Sequence, residues 1–170
     1  MSRFFHTNSR EGVRKGGFTL TELLITIAII GLISSVVLPS FGQSRAKSRD
    51  AKRVSDVAQL QLAIQLYFDR CRQYPATLST TQNNGLTTPC AGGTITLGTF
   101  ISQIPTPPPG TGETTYTYSL NASRTDYVLR TKLEYSSPAL ASSFNGTISW
   151  DASFSCNRTS PSLYYCVRPQ

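Results

Sequence analysis

Apolar positions follow three different rhythms along this chain, and each predicts a different element. From Phe18 to Leu38 they are nearly continuous, with Glu22 the only formally charged side chain in the run. At about 1.5 Å of helical rise per residue this run spans roughly 30 Å, enough to cross a bilayer. After Pro39 the rhythm becomes helical and one-sided. Val57, Leu60, Ile64, Tyr67 and Cys71 recur at three- and four-residue steps, with Leu62, Ala63 and Leu66 widening the stripe. That spacing predicts an amphipathic helix packed on a sheet. Further on the rhythm is alternation. Thr114 to Leu120 places Tyr116, Tyr118 and Leu120 on one face, and Tyr127 to Leu133 places Tyr127, Leu129 and Leu133 on one face with Arg130 and Lys132 opposite. Asn121 to Asp126 has turn chemistry, so the pair reads as an antiparallel hairpin. A third strand is expected over Gly146 to Asp151, where Ile148 and Trp150 share a face.

Glycine and proline punctuate these rhythms. Gly31 and Pro39 are expected to interrupt what would otherwise be one long helix. A proline in a helix interior costs roughly 3 kcal/mol, so a kink or local melting is expected near Pro39. Tyr74-Pro75 ends the second helix, because proline disfavours helical backbone in the residue before it. Ala76 to Gly112 is rich in Thr, Gly, Pro and Asn, with Pro105-Thr106-Pro107-Pro108-Pro109 as a stiff spacer. The segments are therefore a leader over 1–17, an apolar transmembrane helix over 18–39, an amphipathic helix over 40–74, a connecting loop over 75–113, and an antiparallel sheet with a C-terminal cysteine loop over 114–170. The fold class is α+β: a long N-terminal helix whose first half spans a membrane and whose second half packs on a small antiparallel sheet.

A chain of 170 residues has room for one ordinary globular domain plus an extended helix. The formal charge is +7, to which Arg3, Arg10, Arg14 and Lys15 against Glu11 contribute +3, leaving +4 beyond the leader. Much of the remainder sits in Arg45, Lys47, Arg49, Lys52 and Arg53, just past the apolar run. Such a run can bind nucleic acid or anionic headgroups. The plainer expectation is a solvated helix face balanced by Asp50 and Asp56. The cysteines locate this part of the chain: Cys71, Cys90, Cys156 and Cys166 all follow the apolar run, and four allow three pairings. Sequential pairing is the simplest, and sequence does not select it. Disulfides imply an oxidising compartment, hence a C-terminal domain outside the cytoplasm. A metal site is not expected, since the spacings are wide, there is no CxxC, and the lone His6 lies in the leader.

Glu22 needs a reason. A carboxylate within a membrane segment costs roughly 2 to 3 kcal/mol at the centre and less near the end, so it can be an interfacial group that snorkels to the headgroups. An ordinary secretory signal is a second alternative, with Ser40-Phe41-Gly42 offering small residues for cleavage. Helical periodicity continuing past Gly42 argues against it.

Gly17-Phe18-Thr19-Leu20-Thr21-Glu22-Leu23-Leu24-Ile25 resembles the N-terminal signal of type IV prepilins and type II secretion pseudopilins. The resemblance implies that prepilin peptidase cuts between Gly17 and Phe18, that Phe18 becomes the N-methylated first residue, and that Glu22 is the assembly carboxylate. In a dry filament core Glu22 would meet the Phe18 ammonium of a neighbour, an attraction that guides register even if desolvation consumes the Coulomb gain. The leader is longer than the family's shortest. Tyr74-Pro75 and the strand ending Lys132-Leu133-Glu134 are similar to major pilins and the major pseudopilin, and Cys156 to Cys166 resembles a pilin disulfide loop. It does not resemble the major pseudopilin's calcium loop, since Asp151 is the only acid after Glu134.

Nothing in the sequence suggests catalysis. No His follows the leader, the acids are scattered, and there is no nucleophile elbow or P-loop. No enzyme activity and no cofactor are expected. The resemblance implies a filament subunit in the bacterial cytoplasmic membrane, N-terminus inside and C-terminal domain outside. Its implied partners are copies of itself, prepilin peptidase and the assembly platform of a pilus or secretion machine. Alternatives are a major-type pseudopilin of a type II secretion system, and a minor pilin or membrane-anchored module that binds DNA or a surface.

Overall fold

The computed structural model describes residues 17–37, 40–81, 90, 93 and 95–169. Most of the expected leader, and the kink expected at Pro39, lie outside the described residues. The chain divides into two compact units, Met1–Phe41 and Gly42–Gln170.

The first unit contains helix α1, Leu20–Val37, none of whose residues is buried. Leu, Ile and Val occur all round it, so no face is reserved for a core, and the helix is long and apolar enough to cross a membrane. Its hydroxyls do not spoil this, because Thr26 and Ser35 each donate back to a helix carbonyl, Leu23 O and Leu32 O, both at 2.7 Å. Gly31 does not interrupt the helix as expected. One glycine costs only about 1 kcal/mol, which the surrounding Leu and Ile residues absorb.

The second unit is built on helix α2, Ser40–Cys71. It ends at Cys71, three residues before Tyr74, because Arg72 adopts a left-handed φ of 57° and its N–H caps Phe68 O at 2.7 Å. Strands β1 (Thr117–Leu120), β2 (Tyr127–Lys132) and β5 (Tyr164–Val167) form an antiparallel sheet in the order β1-β2-β5. Short helix α3, Ala139–Ser142, leads to a second sheet of β3 (Gly146–Ile148) and β4 (Asp151–Cys156). The expected single strand over Gly146 to Asp151 is thus two: the chain turns at Ser149-Trp150, and Ile148 pairs with Asp151.

The registers explain the layering. Tyr118, Leu129 and Val167 lie abreast, and so do Thr117, Arg130 and Cys166. The first row belongs to the core against α2, where Val57, Leu60, Ile64, Tyr67, Tyr116, Tyr127 and Leu129 are buried. The opposite face, including Val128 and Cys166, packs on Ile148, Phe154 and Cys156 of the β3-β4 sheet. Both faces of β2 are therefore covered, which is why its hydrophobic pattern is denser than plain alternation. The connecting loop is part of the core: Leu97, in a 3-10 turn over Leu97–Thr99, is fully buried, and Ile95, Ile101 and Ile104 pack beside it.

Two disulfides close this unit. Cys71 at the end of α2 is bonded to Cys90 in the loop, and Cys156 of β4 to Cys166 of β5. The second joins the two sheets, so it fixes the outer layer to the one that holds α2.

Candidate functional site

Gly17, Phe18 and Glu22 all fall at the start of α1. Phe18 is 90 % exposed, two residues before the helix begins. Glu22 does not reach back to Phe18 of its own chain. Its Oε2 accepts the Thr19 N–H at 2.9 Å and the Thr19 hydroxyl at 2.7 Å, while its own N–H donates to Thr19 Oγ1 at 3.2 Å. This is a capping box: Thr19 and Glu22 satisfy donors that a helix N-terminus leaves open. Both Thr19 bonds fall on Oε2, so Oε1 has no partner among the described residues. Thr19 was not singled out from sequence, although the Thr-x-x-Glu spacing before an apolar run signals it.

At this site a carboxylate faces an exposed N-terminal segment on a helix with no core of its own. Cleavage before Phe18 would replace an amide with an ammonium on that exposed segment. The charge would otherwise be left unpaired in an apolar medium, so it favours a partner that brings a cation into the same layer.

The basic cluster on α2 divides, and the expectation of a solvated face is overturned for two of its five members, Arg49 and Arg53. Arg53 is fully buried: Nη1 donates to Asp50 Oδ1 at 2.7 Å and Glu134 Oε1 at 2.9 Å, and Nη2 to the Pro108 and Pro109 carbonyls at 2.6 and 3.1 Å. Arg49 forks onto Glu134 at 2.8 and 2.5 Å. The two guanidiniums hold the Glu134 carboxyl down to about 2 against the opposing effect of burial. Asp50 also accepts the Glu134 and Tyr135 N–H groups. One helical turn on, Asp56 accepts from Lys52 at 2.9 Å and from the Tyr116 hydroxyl at 2.7 Å; burial, with that bond, pushes the phenol up. These bonds tie α2 to the loop and to the end of β2. Arg45 and Lys47 stay exposed.

Among the described residues no group of three His, Cys, Asp or Glu stands close enough to hold a metal. Asp151 is occupied by Ser153 and Ser119, whose hydroxyls donate to it at 2.6 and 3.1 Å.

Comparison with known proteins agrees with this anatomy. A family model described as the prokaryotic N-terminal methylation motif matches residues 13–38, which contain Gly17, Phe18 and Glu22. The type II secretion system core protein G of Escherichia coli (strain K12) is 31 % identical over 104 residues, 57 % of this chain and 68 % of that protein. The protein of the same description from Pectobacterium carotovorum subsp. carotovorum is 35 % identical over 40 % of this chain and 44 % of its own length. The type IV major pilin protein PilA of Myxococcus xanthus (strain DK1622) is 33 % identical over 39 % of this chain and 30 % of its own. No solved structure matches.

A single apolar anchor helix joined to an α+β head places the chain in the pilin-like class of folds. It belongs to the type IV pilin and type II secretion pseudopilin family. The chain spans less than half the length of several of the curated relatives it matches, the Pectobacterium protein among them.

Proposed function

We propose that this chain is a structural, non-catalytic subunit of a type IV pilus-like filament. In this reading it inserts through α1 with the N-terminus cytoplasmic and the head outside. Prepilin peptidase cuts it between Gly17 and Phe18, and Phe18 is N-methylated. The subunit then leaves the membrane by packing α1 among the α1 helices of its neighbours, with Glu22 paired to a neighbour's Phe18 ammonium. The observation that carries this is α1 itself: eighteen residues, none buried, with one carboxylate at the N-terminal end and every apolar face open. An apolar helix without a core must be covered by lipid or by its own kind, and a fibre offers the second once the subunit leaves the first.

The relatives include both core protein G of type II secretion systems and the type IV major pilin PilA, which supports a filament subunit of this family and leaves the proposed reading unchanged. The test is purification of sheared filaments followed by mass spectrometry of the N-terminus, alongside a Glu22→Ala variant. The expected result is this chain as the bulk component, starting at N-methylated Phe18, with Glu22→Ala inserted in the membrane but yielding few fibres. A chain that keeps its leader, or a Glu22→Ala variant with normal fibre yield, would overturn the reading.

A further inference from the structure

The two edges of the β1-β2-β5 sheet are finished differently. In an antiparallel pair only alternate residues exchange backbone bonds, so one known bond fixes the direction of all the others. Asn121 N–H donates to Asp126 O at the hairpin end, and Leu133 N–H to Leu163 O just past the end of β2. Counted along the registers, Thr117 and Ser119 of β1, and Tyr165 and Val167 of β5, are the residues bonded to β2. The backbone groups of Tyr118 and Leu120, and those of Tyr164 and Cys166, therefore point away from the sheet.

On the β5 side these groups are in use. Cys166 O accepts the Phe144 N–H and the Tyr164 N–H donates to Asn157 O, both at 2.8 Å. On the β1 side neither Tyr118 nor Leu120 makes an outward backbone bond among the described residues. An open cleft of about 510 Å³ borders that edge, with Tyr116 and Tyr118 on one wall and residues 76–78 and 104–106 on the other. The strand itself, Thr117-Tyr118-Ser119-Leu120, carries neither a charge nor a proline, the usual guards of a sheet edge.

Such an edge takes another strand, and this one fits its own copy. With Ser119 opposite Ser119 of a second copy, Tyr118 exchanges bonds with the partner's Leu120, and Leu120 with the partner's Tyr118. Four N–H···O bonds close, and each ring meets a leucine on the same face. Thr117 falls opposite the partner's Asn121, so no like charges meet across the pair. A filament would also hold many identical edges at high local concentration.

We propose that two copies of this chain join edge to edge through β1. The contact is isologous, whereas a polar fibre repeats a heterologous one, so it links one fibre to its neighbour rather than building either. That linking role rests on the filament reading; the pairing itself does not.

Amide exchange of the full chain in detergent micelles, followed over a range of chain concentrations, tests the pairing. At low concentration the Tyr118 and Leu120 amides should exchange freely while those of Thr117 and Ser119 stay slow. At high concentration the first two should slow several-fold. Leu120→Pro removes an outward N–H, a change an edge strand tolerates, and with it two of the four bonds. Pairing should weaken on the order of twenty-fold, with the urea midpoint close to wild type. Leu120→Val keeps the N–H and should pair like wild type. Association through α1 alone would leave Tyr118 and Leu120 fast at every concentration and overturn the proposal. Slow exchange of both at the lowest concentration would also overturn it, because the chain would then cover its own edge. So would equal protection by a synthetic peptide of alternating threonine and valine, which would make the edge a general strand receptor. Sheared wild-type fibres should sediment as bundles and Leu120→Pro fibres singly; single fibres from both would overturn the linking role. If no fibres form, the filament reading fails while the exchange result stands on its own.

Discussion

Arg53 and Glu134, 81 positions apart in the chain, meet at 2.9 Å with the guanidinium wholly out of solvent. Their pairing brings the start of the head's helix to the end of β2, and the same guanidinium holds the Pro108 and Pro109 carbonyls of the connecting loop. Removing one member of such a set leaves Asp50 and Glu134 buried with less compensation, a loss typically of about 3 to 5 kcal/mol. Arg53→Ala should therefore unfold at markedly lower urea concentration than the wild-type chain. A change within about 0.5 kcal/mol, the range of ordinary surface substitutions, would mean the pairing does not hold the layers.

The same carboxylate sets an acid limit. Glu134 titrates near 2 in the folded protein and near 4.5 when unfolded, so between those values the unfolded chain binds the additional proton. Its contribution is fully present above about pH 4.5 and is lost as pH falls through 2. The sum is on the order of 2 to 3 kcal/mol, with the partly exposed Arg49 partner placing it at the lower end. Urea midpoints measured from pH 6 down to pH 2 should fall along this window, and Glu134→Gln should flatten the slope within it. An unchanged slope in that variant would assign the acid sensitivity to other carboxylates.

The elements with a single partner were the legible ones. The stripe from Val57 to Tyr67 predicts a helix on a sheet, and that stripe is buried against Tyr116, Tyr127 and Leu129. Alternation identified both strands of the hairpin, although β1 begins at Thr117 rather than Thr114. What the pattern missed depends on contacts distant in sequence. Arg53 looks like any solvated cation until Glu134 is brought beside it, and nothing local distinguishes it from Arg45. The turn at Ser149-Trp150 lacks the glycine or asparagine that marks most tight hairpins, so two strands read as one. Thr19 was legible as half of a capping box, but the lone charge in the apolar run marked Glu22 and left its hydroxyl partner unremarked.

Joining two sheets gives Cys156–Cys166 a different role from Cys71–Cys90, though each closes a short loop worth about 3 kcal/mol in the chain-entropy model. Replacing Cys156 and Cys166 together by serine should lower stability by about that amount and speed amide exchange at Ile148 and Phe154, which pack around the bond. Replacing Cys71 and Cys90 should instead speed exchange around Leu97 and spare Phe154. Identical exchange patterns in the two double variants would show that the bonds do not guard separate layers.

Glu22 performs two tasks that substitution can separate. As a capping residue it needs only an acceptor for the Thr19 hydroxyl and N–H, which the amide oxygen of glutamine supplies. As an assembly carboxylate it needs its charge. Glu22→Gln should keep the start of α1 ordered, with slow exchange at Glu22 and Leu23 in micelles, yet lose fibre yield. Thr19→Val should do the reverse at the helix end: it removes both hydroxyl bonds of the cap at a cost of about 1 kcal/mol and loosens the first turn. Because Oε1 stays open to a neighbour's ammonium, this variant should assemble better than Glu22→Gln. If Thr19→Val and Glu22→Gln lose fibres equally while only the first loosens the helix, then the hydroxyl itself takes part in the assembly contact, and the pairing of Glu22 with Phe18 is incomplete without it.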